Sequence, residues 1–239
     1  MKKLYIDFET FSECDLKKCG SDVYARHHTT GILCFAFAFT GQKPALYIPK
    51  DELKRAMSLD PIPYEIVTEL PHLVLKHIKE QGTITAHNAS FDYLVWNKVS
   101  SFPKIAPEQL EDTMAKASSM ALPASLGLLG SALGVELKKS PTGTRLITKM
   151  CKPPFQTGPA LLAEMAEYCA RDVETMMEID GHLDPLTRSE REVWLCNFKA
   201  NQRGLKLDEG LINESIRLAG LEDVELGQQA ATLAGLSLS

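Results

Sequence analysis

No stretch of this sequence approaches the about 20 consecutive apolar residues that a membrane-crossing helix needs. Two lysines follow the first methionine, but a strand bearing acids comes next, where a secretory signal would place an apolar segment. Neither a membrane span nor a signal peptide is therefore expected. Cysteine pairs of zinc-binding spacing are also missing. Cys14, Cys19, Cys34, Cys151, Cys169 and Cys196 include no Cys-x2-Cys, and His27-His28 has no ligand-like spacing to them, so zinc is not expected. Thiols scattered in this way suit a reducing cytoplasm better than a disulfide framework. Positive charge is not in excess either: 26 Lys and Arg stand against 31 Asp and Glu, a formal net charge of −5. A nucleic-acid partner cannot then be held by a global positive field; it needs a local basic patch or bound metal. Internal repeats and low-complexity tracts are absent.

What is present is an ordinary globular composition, 44% hydrophobic and 24% charged over 239 residues. That length suits one large domain, or one domain with an appendage. Lys3 to Thr10 reads as a buried strand ending on two acids. Ser12 to Ser21 reads as a polar turn, Ile32 to Phe39 as a strongly apolar strand and Ala45 to Ile48 as a short one. Short connections make these three an antiparallel meander. Pro49 to Pro63 reads as a loop with room for one helical turn. Glu65 to Glu80 has the spacing of an amphipathic helix, made irregular by Pro71. Thr83 to Ala86 is a fourth strand and Phe91 to Val99 a further helix. Helices are expected at Asp112 to Met120, from Ser125 to Leu133, and at Ala160 to His182. Lys138 to Lys152 is a loop with a helical turn; it holds Lys138, Lys139, Arg145, Lys149 and Lys152 and no acid after Glu136. Ser189-Glu190-Arg191-Glu192 looks like a capping box opening a helix that Gly204 ends. Asp208 caps a last helix that has no evident stop.

Three stretches carry acids in unusual settings. In the first strand side chains alternate, so Leu4, Ile6 and Phe8 share one face while Tyr5, Asp7 and Glu9 share the other. Like charges one pleat apart repel unless a cation lies between them; a solvated strand end is the ordinary alternative. In the second stretch, His87-Asn88-Ala89-Ser90-Phe91-Asp92, Asn88 at a strand-to-helix junction has the position of a cap, and Asp92 that of a dipole partner. The carboxyl end of a strand is also where α/β sheets set their sites. In the third, Tyr168 and Asp172 are one turn apart on a long helix and border an apolar stripe of Leu161, Met165, Cys169, Val173 and Met176. An acid there needs a partner, and a nearby arginine would serve.

Taken in order, Asp-x-Glu, Asn-x-x-Phe-Asp and Tyr-x-x-x-Asp resemble the three exonuclease motifs of the DEDD 3′–5′ exonuclease superfamily, in its tyrosine-bearing DEDDy branch. The resemblance spans about Leu4 to Ile179. It implies an α/β, ribonuclease-H-like fold: a mixed five-stranded sheet flanked by helices, with a C-terminal helical extension. Asp112-Thr113-Met114 and Leu122-Pro123-Ala124-Ser125-Leu126 resemble the middle of the proofreading domain of family A, phage-type DNA polymerases. Ser189 to Ile216 resembles the connector into the polymerase. The implied organisation is an exonuclease domain over residues 1–185 and a helical connector over 186–239, both belonging to a longer polymerase.

The resemblance implies hydrolysis of a terminal phosphodiester with two divalent cations, Mg2+ or Mn2+, hard ions that favour carboxylate oxygens. Asp7 would bridge both ions, Glu9 and Asp172 would complete the water-activating site, and Asp92 would hold the second ion. Tyr168 would orient the attacking water; an ordinary phenol, with a pKa of about 10, is a poor base at neutral pH. Thr10, Asn88 and Phe91 match substrate-binding positions. The Lys138–Lys152 loop either holds single-strand phosphates or is a solvated charged loop. The expected partners are a single-stranded or frayed DNA 3′ end and a polymerase domain of the same chain, in a cytoplasm, with no membrane. Two other functions stay open: a free-standing exonuclease on RNA or short oligonucleotides, and a non-catalytic domain that binds strands or braces a polymerase.

Overall fold

The computed structural model describes residues 2–135 and 143–235; Lys138 and Lys139 of the basic loop lie outside them. Its strands are β1 (Leu4–Phe11), β2 (Gly31–Phe39), β3 (Ala45–Tyr47), β4 (Glu65–Val67), β5 (Ile84–Ala86) and β6 (Leu110–Asp112). The helices are α1 (Leu16–Arg26), α2 (Lys50–Arg55), α3 (His72–Lys79), α4 (Ala89–Leu94), α5 (Thr113–Ser119), α6 (Leu126–Ala132), α7 (Gly143–Leu146), α8 (Pro159–Asp180), α9 (Arg188–Arg203) and α10 (Glu209–Ala234). Wider π turns continue α4 through Val95–Val99 and α7 through Ile147–Cys151. The chain forms two compact units, one up to Lys199 and one from Ala200.

The six strands form one mixed sheet in the order β4-β3-β2-β1-β5-β6. β1, β2 and β3 are the expected antiparallel meander, while β5 runs parallel to β1, and β6 to β5. Helices cover both faces. Leu4, Ile6 and Phe8 of β1 pack with Phe35, Trp96, Val74 and Ile78 on one side. Tyr5, with Cys34, Ala36 and Leu46, packs under Met165, Cys169, Val173 and Met176 of α8 on the other. Each such large apolar side chain taken from water stabilises the fold by about 1.5–3 kcal/mol. This α/β architecture, with its C-terminal helical stretch, is compatible with a ribonuclease-H-like fold.

Several local expectations need correcting. The sheet has six strands among the described residues, where five were expected. Glu65–Val67 is a strand, β4, paired in parallel with β3; only after it does Pro71 open α3, at a position where its missing N–H costs nothing. Residues 12–21 are not all turn. The Asp15 side chain accepts the Lys17 N–H at 3.0 Å and starts α1, which is anchored by the buried Tyr24 and Ala25. Leu110–Asp112 pairs with β5 before α5 begins. The capping box of α9 is Thr187 with Glu190, not Ser189 with Glu192: Glu190 accepts the Thr187 N–H at 2.8 Å and the Thr187 hydroxyl at 2.7 Å. In α8 the fully buried stripe begins at Leu162, and Leu161 is half-buried. α10 does have a stop, Gly235 in the left-handed region at φ 67°.

Among the described residues no helix is long and apolar enough to cross a membrane.

Candidate metal centre

Strand alternation turns Asp7 and Glu9 of β1 toward α8. Opposite Glu9 and Thr10 the β1–β2 register slips by one residue, leaving Leu33 as a bulge; such bulges re-aim side chains beside sites. On α8, Cys169 packs directly on β1, its thiol donating to the Asp7 carbonyl at 3.3 Å. One turn further along, Asp172 reaches the two strand acids. Ligand oxygens of Asp7, Glu9 and Asp172 all lie within 4.8 Å of one another, the one such group among the described residues.

The fourth acid arrives from the other side. β5 pairs with β1 only at Leu4 and Tyr5, so the Phe8 N–H lies beyond its reach. Asp92 in the first turn of α4 takes that N–H at 3.2 Å, and its side chain is buried. Asp112 at the end of β6 holds α4 in place. Its carboxylate accepts the N–H groups of Asn88 at 3.0 Å, Ala89 at 3.2 Å and Met114 at 2.9 Å. Asn88 itself sits in the left-handed region, φ 63° and ψ 54°, and its side chain makes no capping bond. The cap expected of Asn88 is thus supplied by Asp112. The sequence showed Asp112 at a helix start, but its reach to Asn88 passes to the neighbouring strand's end and has no local signal.

The acids crowd one another. Burial, then the Asp172 carboxylate, pushes Asp7 up to about 7, against the pull of the Cys169 thiol. Burial and Asp7 push Glu9 and Asp92 well above the usual carboxylate range. One Asp7 oxygen, Oδ2, is buried with no hydrogen-bond partner. Buried carboxylates normally have partners; an orphan oxygen among converging acids fits a cation. Four carboxylates and no thiolate ligand suit a hard divalent ion. Asp7, Glu9 and Asp172, with Asp92 beside them, could hold one.

Raised carboxylate pKa values have a definite sign for stability. A folded-state pKa above the unfolded value near 4 means that the folded state holds its proton longer. Stability from such a group is full below the unfolded value and is lost as pH rises through the folded one, about 7 for Asp7. With EDTA present, the thermal midpoint should therefore fall between about pH 5 and about pH 8, and Mg2+ or Mn2+ should restore it at the upper end. Asp7→Asn should flatten the profile. A profile identical in wild type and Asp7→Asn would count against the crowding.

Tyr168 lies beside Asp172. Burial first, then the Asp172 and Glu9 carboxylates, pushes the phenol above its ordinary value, so it keeps its proton. Gly143, the first residue of α7, touches the ring. A Cβ there would stand 2.9 Å from Cε2 and 3.2 Å from Cζ of Tyr168. No sequence signal pointed to Gly143.

Glu9 also borders a cavity of about 210 Å3, which Thr10, Tyr24, Phe91, Cys14 and Lys152 help to line. The Thr10 and Tyr24 hydroxyls are 2.9 Å apart, and the Tyr24 ring meets Phe91 with centroids 6.1 Å apart. Thr10 and Phe91 therefore share one cavity beside the acids. Asn88 is not among the residues lining it. In the basic loop, Arg145 pairs with Glu164, which leaves it less available to a phosphate.

No family model matches the sequence. The chain is 30% identical, over 252 aligned positions, to a DNA polymerase of Bacillus phage SP02, and the match takes in 99% of this chain. The similarity supports a polymerase-related domain. The chain spans about a third, 36%, of the length of that relative.

Proposed function

We propose that the chain is a metal-dependent 3′–5′ exonuclease of the DEDDy type and the proofreading part of a DNA polymerase. The observation that carries this reading is the convergence of Asp7, Glu9 and Asp172 within 4.8 Å, from a strand and a helix far apart in sequence. The phage polymerase relative supports the wider setting.

When bound, two divalent cations would supply a hydroxide near neutral pH and offset charge on the phosphate. Asp7 would be shared between them, Glu9 and Asp172 would hold the ion on the water side, and Asp92 would hold the other. The chain's own groups do the rest. Tyr168, kept protonated, donates a hydrogen bond that orients the water and does not act as its base. The cavity beside Glu9 would receive the terminal nucleotide, with Phe91 and Tyr24 as apolar walls and the Thr10 hydroxyl as a polar contact. Lys152 at its edge would meet the phosphate. Such an enzyme would work in the cytoplasm where phage DNA is copied.

Tyr168→Phe should keep metal binding and slow hydrolysis less than Asp172→Ala does. Gly143→Ala should slow it too, because the new methyl group displaces the Tyr168 ring. In a Tyr168→Phe background, Gly143→Ala should add little, since the hydroxyl it would misplace is already gone. Full additivity, or Tyr168→Phe as inactive as Asp172→Ala, would remove the positioning role.

The test of the whole reading uses 5′-labelled DNA with Mg2+, Mn2+ or EDTA, alone and annealed with or without a terminal mismatch, beside a matched RNA. A ladder shortening from the 3′ end is expected. It should run faster on single-stranded or mismatched DNA, because unstacking a mismatched end costs a few kcal/mol less, as an order of magnitude. Rates should fall as salt rises. Internal cuts, early loss of the labelled nucleotide, or activity in EDTA would overturn it.

A further inference from the structure

The turn between β1 and α1 brings two thiols together. Cys14 follows the end of β1 and Cys19 lies in α1, and their sulfur atoms are 2.8 Å apart. Both are free and half-buried. A regular helix does not face residues five apart toward each other. Here the backbone departs from a helix on both sides. Cys14 precedes the cap Asp15, and its N–H is held by the Ser12 hydroxyl at 3.1 Å. Gly20, directly after Cys19, breaks the helical path with φ 77°. The rest of the fold offers a useful contrast. Cys34 and Cys169 also touch, but they are fully buried between β2 and α8, out of reach of a reagent. Cys196 is exposed and alone.

We propose that Cys14 and Cys19 form a dithiol site that takes a low-molecular-weight disulfide as its oxidant. One protein thiolate attacks a sulfur of the small disulfide, forms a mixed disulfide and releases one small thiolate. The second protein thiolate then attacks the protein-side sulfur, closes the Cys14–Cys19 bond and releases the other small thiolate. Two protein thiols are oxidised, one small disulfide is reduced, and the two protons given up by the protein thiols end on the two released small thiols. Closure asks the sulfurs to draw in from 2.8 Å to about 2.05 Å. A reducing cytosol keeps the pair open, and a rise in small disulfides closes it. The bond would tie the first turn of α1 to the end of β1. Cys14 lines the cavity beside Glu9, and α1 carries Tyr24 into the same cavity, so the redox state of the pair acts on that wall.

The full chain is equilibrated with graded mixtures of oxidised and reduced glutathione, quenched with an alkylating agent and mapped by mass spectrometry. Lys17 and Lys18 lie between the two cysteines, so trypsin separates them unless a disulfide joins the fragments. The expected product is a Cys14–Cys19 cross-link with the mass of two hydrogens lost, reversed by dithiothreitol. Cys196 should take only a glutathione adduct, and Cys14→Ser or Cys19→Ser should halt the partner thiol at the mixed disulfide. Closure should occur at a glutathione ratio at least about tenfold more reducing than that which modifies Cys196, a shift of about 30 mV for a two-electron couple. Cys14 and Cys19 carrying only adducts in step with Cys196, or Cys14 joined instead to Cys151 across the cavity, would overturn the proposal.

Discussion

Asp7→Ala is expected to abolish nucleotide release while leaving the protein folded. Asp7 is the member of the cluster that keeps a buried oxygen without a hydrogen-bond partner. If it is shared by two cations, its loss should remove both. The decrease should exceed the about 10–100-fold typical of groups that merely support a metal ligand. The folded state should not suffer. Asp7 is held near 7 by burial and by Asp172, so it is a source of strain in the metal-free protein. Above about pH 7, Asp7→Ala in EDTA should melt no lower than wild type, and the rise in melting temperature on adding Mn2+ should vanish. Near-normal turnover by the folded variant would refute the metal assignment.

Asp180→Ala should produce the largest loss of stability. Asp180 ends α8, where a carboxylate faces the negative end of the helix dipole. It is tolerated because three donors meet it. Oδ2 accepts from Lys3 Nζ and Tyr5 Oη, each at 2.8 Å, and Oδ1 accepts from Lys116 Nζ at 2.8 Å. Glu111 of β6 closes the network, at 2.8 Å from Lys3 and 2.6 Å from Lys116. The side chains of Asp180 and Lys116 are only 3% and 5% exposed, so little water can replace a lost partner. Burial alone would raise the Asp180 pKa, but the two ammonium groups hold it below the usual carboxylate range. Its contribution is therefore present above the unfolded pKa near 4 and is lost as pH falls through the lower folded value. Removing one member of a buried network costs up to about 3–5 kcal/mol; here the Tyr5 hydroxyl would lose its acceptor, and Lys3 and Lys116 would share Glu111 alone. Urea unfolding at neutral pH should show a loss of that order, and a change below about 1 kcal/mol would mean that Glu111 and water suffice for the two lysines. Activity should fall as well. Asp180 anchors α8 to β1 about 12 Å along the helix from Asp172, so a slipped helix moves a proposed ligand.

The acids of the candidate site were legible because each stands in a short local pattern. Alternation sent Asp7 and Glu9 to one face of β1, and helical spacing set Tyr168 one turn from Asp172. The meander was legible too, since apolar runs with tight connections leave little choice. The missed elements have little local signal. β4 and β6 are three residues each and exist because a neighbouring edge offers hydrogen bonds. α1 is mostly polar and survives by burying Tyr24 and Ala25.

The sequence by itself determined which carboxylates share a strand or a helix face, because pleat and helical pitch are properties of the local backbone. Only the tertiary structure decided that Asp172 would meet Asp7 and Glu9, that Asp112 and not Asn88 would fix the turn carrying Asp92, and that Gly143 would abut Tyr168. Those contacts join residues 23 or more positions apart, and they form because packing α8 and α4 against β1 buries apolar surface that neither helix can bury alone.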